Sequence, residues 1–203
     1  MAMRVTHRRV VILLDCSYQE HSLISVRRAI KLLFRGVAEP FGDSFYEVKA
    51  WGRCVLVPKV LRLVIGAEGV ETIADAALNE RDYGDLTGKN KWEVKEQLGE
   101  EEFLKIRRSW DYPPKNGESL KNVYERVVPF YESRILPELK NGKNVIIAAH
   151  GNSLRALVKF LENIPDEEIS KLEMKLGEPY VYEIDETGKI VSKEIRSIGS
   201  GVA

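Results

Sequence analysis

Cysteine is scarce. Two residues in 203, Cys16 and Cys54, cannot form a disulfide framework and match no zinc-ligand spacing, so a reducing, cytoplasmic setting is expected. Long apolar runs are missing as well. No stretch reaches 18 consecutive apolar residues, and residues 55–65 are broken by Pro58, Lys59 and Arg62, which excludes a helix written to span a bilayer. The N-terminus lacks the apolar core and small-residue cleavage site of a secretory leader. Neither sign of charge prevails. Lys+Arg and Asp+Glu both number 31, so no global field directs the chain to nucleic acid or an anionic membrane surface. Repeats and low-complexity tracts are lacking too. What remains is an ordinary globular composition and a length that suits one domain, residues 1–203, with a sizeable core.

The chain changes habit near Leu78. Residues 1–77 carry eight Arg and three Lys against eight acidic residues, whereas Lys outnumbers Arg beyond them. In the first part, residues 9–14 (Arg-Val-Val-Ile-Leu-Leu) read as a buried strand. Val26, Ile30 and Leu33 have helical spacing. Residues 53–65 read as two short strands or an edge strand around Pro58, and residues 66–69 as a turn. Further on, residues 91–98 and 100–110 read as two helices around Gly99. Pro113 and Pro114 enforce a loop over residues 111–117. Glu118 or Ser119 opens the next helix, in which Leu120, Val123, Val127, Phe130, Tyr131 and Leu136 keep a helical rhythm and Pro129 marks a kink. Residues 145–149 form the central strand, residues 153–161 a helix and residues 180–184 a last strand. Alternating strands and helices predict an α/β three-layer sandwich, with a mostly parallel sheet and helices on both faces.

The most informative segment is Asn-Val-Ile-Ile-Ala-Ala-His-Gly-Asn-Ser-Leu-Arg, residues 144–155. It places His150 where a buried strand gives way to a helix, with Gly151 permitting close backbone approach and helix N–H groups just beyond. An imidazolium there can bind and polarise a phosphoryl oxygen, although a lone histidine is often only structural. Asn152 and Ser153 can donate to a ligand or cap the helix, and for Ser153 capping is the favoured reading. Arg155, one turn in, reads as structural. A second cluster, Glu80 and Arg81 with Lys91 downstream, offers a general acid/base beside an anion clamp; a solvated loop with a local salt bridge is its equal rival. A third, Arg107 and Arg108, either contacts ligand or simply complements a helix C-terminus.

Taken together, these segments closely resemble the cofactor-dependent phosphoglycerate mutases of the histidine phosphatase superfamily. The resemblance rests on Leu-Asn-Glu-Arg-Asp-Tyr-Gly-Asp-Leu-Thr-Gly (78–88) with Lys91, Arg107-Arg108-Ser109, Tyr112-Pro113-Pro114, Gly117-Glu118-Ser119-Leu120, the 147–155 segment around His150, and Pro165-Asp166-Glu167-Glu168-Ile169 before Gly177 and Pro179. It covers residues 78 to about 185. It implies interconversion of 3-phosphoglycerate and 2-phosphoglycerate in glycolysis and gluconeogenesis, primed by 2,3-bisphosphoglycerate and needing no metal. It further implies that Glu80 moves the substrate proton, that His150 stabilises the transferring phosphoryl group, and that Arg81, Tyr83, Lys91, Arg107, Arg108, Gly151 and Asn152 bind phosphate and carboxylate. A homo-oligomer, dimer or tetramer, is implied as well.

The resemblance departs at the N-terminus. The family's first strand ends in Arg-His-Gly-Glu, whose histidine carries the phosphoryl group. Here residues 10–14 run into Asp15-Cys16-Ser17-Tyr18-Gln19-Glu20-His21, and Arg-His-Gly occurs nowhere. Asp82 also stands where histidine is more usual. Residues 1–77 are thus divergent or altered, as a compensated reading-frame shift would leave them. Three expectations follow: a mutase by descent, a non-catalytic protein that binds a phospho-ligand or a protein partner, and a phosphatase using Cys16 or His21 as nucleophile.

Overall fold

The computed structural model describes residues 9–15, 45–50, 71–175 and 178–196. Within them six strands form one sheet: β1 (Arg9–Asp15), β2 (Phe45–Ala50), β3 (Glu71–Asp75), β4 (Asn144–Ala149), β5 (Tyr180–Ile184) and β6 (Ile190–Ile195), in the order β3-β2-β4-β1-β5-β6. The first four in that order are mutually parallel, β5 pairs antiparallel with β1, and β6 pairs antiparallel with β5. The expected strands at residues 9–14, 145–149 and 180–184 are found with nearly the expected bounds. The readings at residues 25–34, 53–65 and 66–69 lie outside the described residues.

β4 is the spine. Val145 to Ala149 are all buried. Because successive strand residues point to opposite faces, five in a row can be buried only if both faces are covered, as in parallel sheets of α/β proteins. The helices are α1 (Lys91–Leu98), α2 (Glu100–Arg108), α3 (Leu120–Phe130), α4 (Leu136–Lys140) and α5 (Gly151–Glu162). Ser119 caps α3, accepting from the Asn122 amide while the Asn122 side chain accepts from the Ser119 N–H. Leu120, Val123 and Val127 recur at helical spacing on its buried side, and the helix packs on α5. Edge-to-face rings reinforce the α3–α5 contact: Trp110 on Tyr124, and Phe160 on both Tyr124 and Tyr131. The irregularity expected at Pro129 takes the form of one π turn, Tyr131–Ile135, before α4.

Register sets the stage for the site. Asp15 pairs with Ala149, and Ala50 with Asp75, so four parallel strands end along one edge of the sheet. The loop after β3 carries Glu80 and the loop after β4 carries His150. β2 lies between them, which separates the two exits by roughly 10 Å; the β3 loop must therefore fold back across that gap.

Ile147, fully buried on β4, and Val191, half-exposed on β6, make a contrasting pair. Truncating Ile147→Ala should cost about 2–5 kcal/mol, whereas Val191→Ala should stay within roughly 0.5 kcal/mol, both read from urea unfolding midpoints at unchanged slope.

Candidate functional site

The loop after β3 is short of regular structure, so side chains hold it. Asp75 accepts from the Ala77 amide at 2.8 Å and starts a 3-10 turn over Ala76–Leu78. Asn79, Glu80 and Arg81 follow. Arg126, on α3, donates to the carbonyls of Ala77 (2.5 Å), Asn79 (3.0 Å) and Glu80 (3.3 Å). The same guanidinium grips Glu118 with two bonds of 3.0 Å. Glu118 in turn accepts from the Asp82 amide at 2.9 Å, and its own N–H donates to the Asp82 carbonyl at 2.8 Å. Burial works against the Glu118 carboxylate, but the Arg126 bonds, the Asp82 amide and the Arg126 charge together outweigh it and hold the carboxyl below its ordinary 4.5. Gly84 (φ 52°) seals the seam: a Cβ there would stand 2.2 Å from the Lys115 carbonyl oxygen.

Across the gap, α5 begins directly at His150, whose backbone serves as the N-cap. Asn152 sits in the first turn and is buried. Its Nδ2 donates to Glu80 Oε1 at 2.9 Å and to Tyr83 Oη at 3.1 Å, which ties the two loops together. Glu80 Oε1 also accepts from the Arg81 amide at 2.7 Å. Ser153 donates its hydroxyl to the Asn79 carbonyl. This corrects the capping role expected of Ser153: it lies inside the helix, fully buried, and serves the neighbouring loop.

The most unusual group is Arg81. Only 2% of it is exposed, yet among the described residues Nε, Nη1 and Nη2 have no hydrogen-bond partner. Its guanidinium stacks on the Tyr83 ring at 4.5 Å and forms no local salt bridge with Glu80, contrary to the solvated-loop alternative. A buried guanidinium left without acceptors is costly and suits an anion that brings its own oxygens. Arg155 is buried beside this group. It donates to Asn152 Oδ1 at 3.2 Å and to the Ile169 carbonyl at 2.9 Å. Burial first, then the charges of Arg108 and Arg81, push it down to about 10.

The other candidates stand differently. His150 is partly exposed, at the sheet edge described above, and Gly151 is the first residue of α5. Arg108 ends α2 within electrostatic reach of Arg155 and pairs with Glu173. Arg107 turns to the exposed side and stacks on Phe103 at 5.4 Å, as adjacent helical residues must diverge. Lys91 lies over Trp92 at 4.9 Å on an exposed helix start. Cys16 and His21 lie outside the described residues. Arg126 and Glu118, the pair that holds the Glu80 loop, escaped the sequence reading. The available signal was a lone arginine flanked by Val123 and Val127 on the buried stripe of a helix that starts beside a glutamate.

A family model described as histidine phosphatase superfamily (branch 1) matches residues 59–195. A second, described as HNH endonuclease-associated, N-terminal domain, matches residues 11–65; that stretch holds β2 and most of β1, both of which pair with β4. The 2,3-bisphosphoglycerate-dependent phosphoglycerate mutase of Parvibaculum lavamentivorans is 50% identical over 131 residues, covering 64% of this chain and 62% of the relative. The phosphoglycerate mutase of Schizosaccharomyces pombe has the same identity and coverage, and the corresponding enzyme of Rhizobium rhizogenes is 46% identical over 143 residues, 70% and 68% of the two chains. This chain thus spans about 62% of the length of the first of these relatives. Among solved structures, mycobacterial glucosyl-3-phosphoglycerate phosphatase superposes with a TM-score of 0.71 at 17% identity, covering 96% of this chain and all of that one. The alpha-ribazole phosphatase of Shigella flexneri gives 0.69 at 18%, covering 96% and 99%. At such identities the likeness describes the fold.

Replacing Arg126 by Ala takes one donor from each of three carbonyls and two bonds from the Glu118 carboxylate, and should cost about 2 kcal/mol or more. Because Glu118 is held below 4.5 when folded, its contribution is complete above that value and is lost as pH falls through the lowered one. The melting-temperature gap between wild type and Arg126→Ala should therefore be widest near neutrality and narrow between about pH 5 and pH 3.

Proposed function

This chain belongs to branch 1 of the histidine phosphatase superfamily, and from that premise we propose that its site acts on a small phosphorylated carboxylic acid, interconverting 3-phosphoglycerate and 2-phosphoglycerate. The observation that carries the reading is Arg81, a buried guanidinium with three unpartnered nitrogens one residue from Glu80. Phosphoryl transfer asks a protein mainly for positioning and for fixed positive charge. Arg81 is the innermost cation of the site. Arg108 stands further out, Tyr83 and the Gly151 backbone complete the grip on phosphate and carboxylate, and Asn152, whose amide hydrogens go to Glu80 and Tyr83, holds those two groups in place. Arg107 and Lys91 close the site from its exposed rim. Glu80 exchanges a proton with the substrate hydroxyl, which needs a carboxylate held still by its neighbours. His150, at the mouth of α5, stabilises charge on the transferring group. The relatives that are mutases at about 50% identity support this assignment.

2,3-Bisphosphoglycerate fits the same donors. The unpartnered nitrogens of Arg81, with Arg108, suit its phosphates and carboxylate, and the phosphoryl group it supplies when bound is what primes a mutase of this kind. We read all 203 residues as one three-layer unit, acting in the cytoplasm as a homo-oligomer.

One observation favours a second reading. The Arg-His-Gly that would deliver a nucleophilic histidine does not occur, which suits a protein that binds a phosphorylated ligand without turnover. One experiment separates the readings: incubate the chain with 3-phosphoglycerate, with and without 2,3-bisphosphoglycerate, and follow 2-phosphoglycerate and inorganic phosphate. Turnover that requires the bisphosphate supports the mutase, release of inorganic phosphate a phosphatase, and calorimetric binding without turnover the binding protein. No binding at all removes all three. Where turnover is seen, Glu80→Gln should lower it by about 100-fold or more. Inorganic phosphate at roughly ten times its dissociation constant should raise the wild-type melting temperature by about 3–5 °C, and Arg81→Met should abolish that rise.

A further inference from the structure

Asn152 is saturated: both hydrogens of its amide nitrogen are donated, to Glu80 Oε1 and Tyr83 Oη, and its oxygen accepts from Arg155 Nη1. Only one of the two amide orientations allows this. A carboxylate cannot donate, so the nitrogen must face Glu80, and a guanidinium cannot accept, so the oxygen must face Arg155. A reversed amide would set oxygen against carboxylate and N–H against guanidinium at once. Arg155 is itself fixed, because Nη2 is anchored on the Ile169 carbonyl at 2.9 Å in a turn outside the helix, and 7% exposure leaves the side chain little room to move.

The consequence falls on Glu80. Its Oε1 takes two bonds, from the Arg81 amide and from Asn152, while among the described residues no hydrogen bond reaches Oε2. We propose that Arg155 is a positioning residue: by locking the orientation of the Asn152 amide it commits Oε1 of Glu80 and leaves Oε2 as the oxygen that exchanges a proton with ligand. This rests on the reading of Glu80 as the acid/base of the site. It also gives a use to a cation placed close to Arg108 and Arg81, whose charges oppose its own. A neutral residue of similar volume would pack there with less repulsion, but would leave the Asn152 oxygen without a donor.

The test is a double-mutant cycle on the full chain: wild type, Arg155→Met, Asn152→Ala and the double variant. Two quantities are read, the hydrogen exchange of the Asn152 side-chain amide by NMR and the affinity for 3-phosphoglycerate by calorimetry. Arg155→Met should speed the amide exchange about tenfold and weaken binding about tenfold. In the Asn152→Ala background it should change binding by less than about twofold, since a residue that acts through another loses its effect when that other is gone. Equal losses in both backgrounds, or exchange at the wild-type rate in Arg155→Met, overturns the proposal. If wild type binds no 3-phosphoglycerate, the phospho-acid reading fails and the amide exchange alone decides the role of Arg155. If Arg155→Met does not fold, Arg155→Lys decides: a single ammonium cannot span both the Asn152 oxygen and the Ile169 carbonyl as a fork does, so exchange should rise about threefold, and an unchanged rate refutes the assignment.

Discussion

The guanidinium of Arg126 determines where Glu80 stands. The loop after β3 has two problems: its carbonyls at residues 77, 79 and 80 have no ladder to join, and it must return across β2 to reach the edge where β4 ends. A buried or half-buried carbonyl needs a donor. One planar group with five N–H bonds in fixed directions meets three of them and pins Glu118 with its remaining capacity. Because Glu118 also brackets Asp82, the clamp holds both sides of the Glu80–Arg81 pair. Lysine could not replace it, as a point charge has no such fork.

What the clamp holds is electrostatically uneasy. Arg81 and Arg108 lie close enough for their charges to act on Arg155, and the nearby Glu80 and Tyr83 compensate only in part. A fold without a ligand to bind gains nothing from an unpartnered guanidinium in its interior. The arrangement resembles strain held at a functional site and supported by the surrounding core, here the α3–α5 contact and the aromatic rings of Trp110, Tyr124, Phe160 and Tyr131.

The N-terminal part bears on the same edge of the sheet. β1 runs parallel to β4, and its last residue, Asp15, pairs with Ala149. β1 therefore ends beside the strand that leads into His150. In the resemblance that position belongs to Arg-His-Gly-Glu; here the sequence continues Asp15-Cys16-Ser17. The family match begins at residue 59, before the motif at Leu78.

The local pattern of residues was enough to locate the elements that carry strong periodic or punctuating signals. The apolar run before His150, the helices flanking Gly99, the Pro-Pro loop and the start of α3 at Ser119 were all legible, because hydrophobic spacing and capping chemistry act over a few residues. The pairing of Glu80 and Arg81 with the 150–155 segment was legible only through resemblance. β2, β3 and β6 left no clear periodic signal; β3 and β6 are the edge strands, which are selected by their neighbours in the sheet more than by their own pattern. The roles of Arg126, Ser153 and Arg155 were decided by tertiary structure alone. Each serves carbonyls or an amide that lie from three to 74 residues away, and hydrogen-bond directionality has no meaning until the chain has brought those groups within about 3 Å of one another.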